Sequence, residues 1–205
     1  MPHLIKEKIL FLHVPKTGGT NILNYFVKRH DSKDNLKLYY PVGDLEWSHA
    51  TYDMCKKELG NIFNEIYKFT IVRNPYDKMV SEFFYRKKYN YKRTFNSLEM
   101  NFEKFINHLY ENFQSIKQMP HIEQSHFIPQ KKFCGEGVNE FKFEKYEEII
   151  LFLNKKFNLA IVNKKENQSE HSNYKEYYND EIAKKIFKLY EEDFDYFKYP
   201  SNYLA

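Results

Sequence analysis

Cysteine is scarce in this chain. Its 205 residues hold only Cys55 and Cys134, too few for a disulfide framework and without the close spacing of metal ligands. Free thiols in a reducing compartment are therefore expected. Long apolar runs are missing as well. The opening stretch MPHLIKEKILFLHVPK carries one short hydrophobic run before Pro15-Lys16, shorter than a signal-peptide core and far shorter than a membrane span. A soluble, cytoplasmic protein with no membrane span is the expectation. Internal repeats, low-complexity tracts and linkers are absent, and no recognised nucleic-acid motif occurs, so a nucleic-acid partner is not expected. Charge of one sign is lacking too: 32 Lys and Arg stand against 28 Asp and Glu, a formal +4. The clusters Arg86-Lys87-Lys88, Lys131-Lys132 and Lys155-Lys156 suit either anionic ligands or solvated helix faces.

What is abundant is aromatic side chain. At 19% Phe, Trp and Tyr and 42% hydrophobic residues, the chain is too apolar for disorder, and its length suits a single domain over residues 1–205. Ile9 to Val14 reads as a strand buried on both faces, and Tyr67 to Val72 as another. Helical spacing marks Asn21–Arg29, Thr51–Leu59, Phe102–Phe113 and Tyr146–Phe157, while Tyr174–Phe197 reads as one long terminal helix. Short strands are expected at Leu36–Tyr40 and Phe141–Phe143, and a long connection with two prolines at Gln114–Gln130. The alternation implies an α/β fold: a P-loop-like, three-layer domain whose central, mainly parallel sheet is flanked by helices, with ligands at the carboxyl ends of the strands.

Between the first buried strand and the next helix lies His13-Val14-Pro15-Lys16-Thr17-Gly18-Gly19-Thr20. Glycines allow close backbone approach, the N–H groups of a helix start face an anion, and Lys16 adds a full positive charge. These features meet the needs of phosphate or sulfate oxygens. A nucleotide triphosphatase loop would place its lysine after the glycines, and an acidic magnesium ligand would be sought after a later strand; here the lysine comes first and the second strand ends in Arg73. No metal is therefore expected.

Arg73 follows the second buried strand, where a planar guanidinium suits a phosphate, and Ser81 lies two turns into the helix that Asn74 caps and Pro75 opens. By itself an arginine so placed serves as well to pair with a carboxylate.

Together, HVPKTGGT and IVRNPYDKMVSEFFY resemble the two nucleotide-binding segments of sulfotransferases that use 3′-phosphoadenosine 5′-phosphosulfate (PAPS), most closely the glycan group of heparan sulfate 2-O- and Golgi carbohydrate sulfotransferases. His126-Phe127-Ile128-Pro129-Gln130 resembles that family's H-x-x-P-Q segment, and Asn167-x-Ser169 with YKEYYNDEIAKKIFKLYEEDFDYFKY its C-terminal stretch. No counterpart of the Golgi enzymes' membrane anchor, and so no Golgi address, is expected. The resemblance implies PAPS as co-substrate, 3′-phosphoadenosine 5′-phosphate as product, and a hydroxyl acceptor, of a glycan, as partner. It implies that Pro15, Lys16, Thr17, Gly18, Gly19, Thr20 and Asn21 hold the 5′-phosphosulfate, and that Arg73 and Ser81 hold the 3′-phosphate. Asn21 stands where many members have serine.

Sulfuryl transfer is an in-line displacement that needs charge stabilisation and a base for the acceptor hydroxyl. Lys16 would serve the leaving phosphate. His49, in WSHATY, resembles the segment supplying the catalytic histidine and is the favoured base, with His126 as a substrate contact and Glu123 as runner-up base. His13, ending its strand, is expected to pack or orient the loop. Trp47 and Tyr52 flank His49 and suit either sugar stacking or core packing. Rival readings are a P-loop small-molecule kinase or NTPase and a non-catalytic nucleotide-binding protein.

Overall fold

The computed structural model describes residues 3–5, 9–31, 49–89, 99–163 and 171–205. The strand expected at Leu36–Tyr40, Trp47, and the Asn167 and Ser169 positions lie outside the described residues. In chain order the elements are β1 (His3–Ile5), β2 (Ile9–Leu12), α1 (Gly19–Asp31), α2 (Tyr52–Leu59), α3 (Ile62–Glu65) and β3 (Tyr67–Val72). There follow α4 (Pro75–Lys88), α5 (Phe102–Ile116), α6 (His121–Gln124), β4 (Val138–Lys142), α7 (Tyr146–Phe157), α8 (Asp180–Leu189) and α9 (Glu191–Phe197). The described residues of Met1–Val72 and Lys132–Gln168 form one compact unit, and those of Arg73–Lys131 and Ser169–Ala205 a second.

The first unit contains the sheet, in the order β1-β2-β3-β4. β2, β3 and β4 run parallel, with Leu12 opposite Thr70 and Val72 opposite Lys142, and β1 adds an antiparallel edge. Alternation along the strands sends Ile9, Phe11, Phe69 and Ile71 to one face, where they pack with Ile22 of α1 and Ile149, Ile150 and Leu153 of α7. Burying each such side chain stabilises the fold by about 1.5–3 kcal/mol, which anchors the two strand ends that lead into the predicted site. At the end of β2 the Leu12 carbonyl accepts the Thr70 hydroxyl at 2.8 Å, so the last ladder position is satisfied from within.

In the second unit, α4 begins as its sequence predicts. The Asn74 side chain accepts the Tyr76 N–H at 2.9 Å, Pro75 occupies the first turn, and Tyr76, Met79, Val80 and Phe83 are buried. The Gln114–Gln130 connection is more ordered than expected. α5 continues to Ile116, α6 fills His121–Gln124, and a 3-10 turn spans Gln130–Phe133. β4 begins earlier than the expected strand, and Phe143 opens a 3-10 turn instead.

Tyr174–Phe197 is not one helix. It forms a 3-10 turn at Tyr174–Tyr177, then α8, a break at Tyr190 (φ −124°, ψ 25°), and α9. Asn179 starts α8 afresh, its Oδ1 accepting from Glu181 and Ile182 N–H at 3.0 Å each. The apolar period survives because Ile182, Ile186, Tyr190, Phe194 and Phe197 are buried on either side of the break. Asn179→Ala is expected to cost about 1 kcal/mol, read as a lowered denaturation midpoint at constant slope; an unchanged midpoint would mean that the cap contributes nothing. Among the described residues no helix is long and apolar enough to cross a membrane.

Candidate functional site

The turn from β2 into α1 is shaped by two residues with positive φ, Lys16 at 66° and Gly18 at 76°. Such a φ is costly for a lysine, so the surrounding contacts must hold it. They do so from several sides. The buried Thr17 hydroxyl donates to the Val14 carbonyl at 2.9 Å, and the Tyr146 hydroxyl donates to the Gly18 carbonyl at 2.9 Å. Asn21 gives its side-chain N–H to the Val162 carbonyl at 3.0 Å and lies 3.5 Å from the Tyr146 hydroxyl. Thr17 and Asn21 thus brace the loop through their side chains.

The two glycines have separate reasons. At Gly18 the backbone is left-handed, and an added Cβ would press on the rings of Phe143 and Tyr146. At Gly19 the first residue of α1 lies so close to the His13 imidazole that any side chain would overlap it. No acidic residue occupies the first turn of α1, leaving its positive end uncompensated from within that turn. Pro15 and Gly19 are buried, whereas Lys16, Gly18 and Thr20 are half-buried. A loop of alternating backbone hand at a helix start, with a lysine in it, is suited to anionic oxygens.

His49 lies beside this loop. Its Nδ1 is 2.9 Å from the His13 carbonyl oxygen, and the two imidazole centroids are 4.6 Å apart. A carbonyl only accepts, so Nδ1 carries the proton and the lone pair of the neutral ring is on Nε2. His13 itself packs as expected, its ring stacked on Phe11 at 5.2 Å. The Tyr52 ring meets Phe63 edge-on at 5.1 Å, and Gly135 has no room for a Cβ beneath it.

In the second unit, Arg73 makes a two-pronged pair with Asp77, Nε to Oδ2 at 2.7 Å and Nη2 to Oδ1 at 2.9 Å. Two of its five donors are thereby used, and the guanidinium plane is fixed. Ser81 is buried on α4. His126 Nδ1 donates to Glu82 Oε2 at 2.8 Å, and Glu82 Oε1 also accepts Arg86 Nε at 2.6 Å. Glu123, the runner-up base, accepts from Arg86 Nη2 at 3.1 Å. Lys78, fully enclosed, is lowered to about 8 by burial, which Glu82 and Asp193 oppose.

Three residues that carry no role in the sequence reading stand out here. Gln130 pairs with the main chain of Arg73, Asp193 accepts two main-chain N–H groups at Gln130 and Lys131, and Glu82 orients His126. Gln130 closes the His126–Gln130 segment quoted above, and the Glu82–Arg86 spacing of four on a helix announces itself in sequence, whereas Asp193 carries no such signal. A surface depression of about 460 Å3, lined by Tyr110, Asp180, Glu181, Lys184, Lys185 and Lys188, contains none of the predicted site residues.

No curated protein and no solved structure matches the chain with significance. A family model described as the sulfotransferase family matches residues 5–200, an interval that takes in the Lys16 loop, His49, Arg73, Ser81 and the His126–Gln130 segment. That span covers nearly all of the sequence, and the chain belongs to the sulfotransferase family.

Proposed function

We propose that the chain acts as one sulfotransferase domain that moves a sulfuryl group from PAPS to a carbohydrate hydroxyl, without a metal. The observation that carries this reading is the Lys16–Gly18 turn at the start of α1, with His49 held beside it by His13. In the proposed step, His49 Nε2 takes the acceptor hydroxyl proton as that oxygen bonds to sulfur. The bond from sulfur to the bridging oxygen breaks, and its electrons pass to the 5′-phosphate of the leaving 3′-phosphoadenosine 5′-phosphate. Lys16 and the loop N–H groups offset the charge that develops there. Arg73 and Ser81 hold the 3′-phosphate. The glycan acceptor rests on the likeness of the two motif segments to the carbohydrate group. The proposed cytoplasmic address agrees with Cys55 and Cys134 standing outside any disulfide, Cys55 being buried.

Calorimetric titration without magnesium tests the donor assignment. The protein is expected to bind 3′-phosphoadenosine 5′-phosphate in preference to ATP, and Arg73→Ala to weaken that binding about tenfold to a hundredfold. Arg73→Ala is expected to fold, because Asp77 lies in the first turn of α4, where the helix end favours a negative charge. Tighter, magnesium-dependent binding of ATP would replace the sulfotransferase mechanism with phosphoryl transfer. Donor binding with no turnover on carbohydrate, tyrosyl-peptide or small-alcohol acceptors would leave a nucleotide-binding protein.

A further inference from the structure

The segment after α6 is fastened through its main chain. Lys78 Nζ donates to the His126 carbonyl at 2.7 Å, and the Tyr190 hydroxyl to the Phe127 carbonyl at 2.9 Å. The Asp193 carboxylate then accepts the N–H of Gln130 at 2.8 Å with one oxygen and that of Lys131 at 2.9 Å with the other. Lys78, Tyr190 and Asp193 are all buried. Burial pushes the Asp193 carboxyl up to about 6, against the pull of the two amides and of Lys78.

What this fastening supports is the Gln130 side chain, itself 1% exposed. Its Oε1 accepts the Arg73 N–H at 2.9 Å while its Nε2 donates to the Arg73 carbonyl at 2.8 Å. A primary amide is the side-chain group that can offer a donor and an acceptor side by side, so Gln130 imitates one rung of a strand ladder. It does so at the residue just past the last paired position of β3, Val72. The main chain of Arg73 is thus fixed by Gln130, and its guanidinium by Asp77.

We infer that Gln130, backed by Asp193, is a positioning residue for recognition of the nucleotide's 3′-phosphate, acting through the peptide of Arg73. This rests on the reading of Arg73 given above. Gln130 touches no ligand atom in this scheme. It sets the origin of the Arg73 side chain, and a phosphate held by a planar fork is sensitive to that origin.

The test compares affinities for 3′-phosphoadenosine 5′-phosphate and adenosine 5′-phosphate, whose ratio isolates the 3′-phosphate. Gln130→Ala is expected to lower the ratio about tenfold, leave adenosine 5′-phosphate binding unchanged, and add nothing to Arg73→Ala in the double variant. An equal loss for both nucleotides, or additive effects, overturns the inference. Should Gln130→Ala not fold, Asp193→Asn keeps the side-chain volume and one acceptor and is expected to lower the same ratio a few-fold; an unchanged ratio there overturns it equally. The unmodified protein separates the role of Arg73 from that of Gln130. If it shows no preference for the 3′-phosphate, the Arg73 reading and this inference fail together; a preference retained in Gln130→Ala removes the inference alone.

Discussion

Replacing His49 by alanine is expected to lower turnover about 10²–10⁴-fold while leaving the affinity for 3′-phosphoadenosine 5′-phosphate within about a factor of two. A carbonyl sets the tautomer of His49. His13 O has no proton to give, so the 2.9 Å contact makes Nδ1 of His49 the donor and Nε2 the basic nitrogen. The carbonyl belongs to the residue that leads from β2 into the Lys16 loop, so one stretch of backbone orients both the proposed base and the turn proposed to hold the phosphosulfate. His13 contributes its ring as well, filling the space above Gly19. Steady-state kinetics with a carbohydrate acceptor, combined with calorimetry, separates loss of chemistry from loss of binding.

His126→Ala is the informative comparison. Its imidazole is also held through Nδ1, but by the buried carboxylate of Glu82 rather than by a carbonyl. A carboxylate-held histidine is itself a competent base arrangement. The proposed mechanism requires the His126 change to act on acceptor KM or on stability, with kcat largely kept. Should His126→Ala abolish turnover while His49→Ala retains it, the base is the Glu82–His126 pair and His49 belongs to the scaffold of the loop.

Local rules carried the reading of this sequence a certain distance, and the limit is physical. β3 and α7 occupy the expected residues because each is a continuous apolar or 3.6-periodic run bounded by clear stops. Asn74-Pro75 announces the start of α4 because capping is decided within four residues. Tyr174–Phe197 misleads for a related reason. Periodicity reports which side chains face the core, and that register persists through Tyr190 even though the helix does not. The strand–turn–helix order from β2 to α1 follows from the sequence, yet the reason Gly19 must be glycine lies in the His13 ring, which only the folded turn brings over it. Gln130 and Asp193 lie beyond any local rule. Their partners are 57 and 63 residues away, at the main chain of Arg73 and of Gln130, and a main-chain partner leaves no complementary residue type to read.

The largest expected effect on stability comes from Arg86→Ala, about 3–5 kcal/mol of lost folding free energy. Arg86 is 1% exposed and lies between Glu82 and Glu123, with its guanidinium 4.6 Å above the Phe127 ring. Removing it leaves Glu82, which is wholly buried, without its guanidinium, and takes away the ion that offsets Glu123. The carboxylates then bear a desolvation cost that the ion pair had offset. Against a typical total of about 5–15 kcal/mol, such a loss would leave much of the protein unfolded at moderate temperature. Urea denaturation measures it directly, provided the slope is unchanged. The same physics predicts that replacing all three groups together, as in Glu82→Leu/Arg86→Met/Glu123→Leu, recovers a substantial part of the loss, since neither carboxylate is then stranded, although buried Lys78 loses the Glu82 charge that opposes its desolvation. His126 would lose its carboxylate in that triple variant, so its recovery is expected to be incomplete. A single Arg86→Ala cost below about 1 kcal/mol would mean that water reaches these carboxylates freely, and that Arg86 contributes mainly by packing on Phe127.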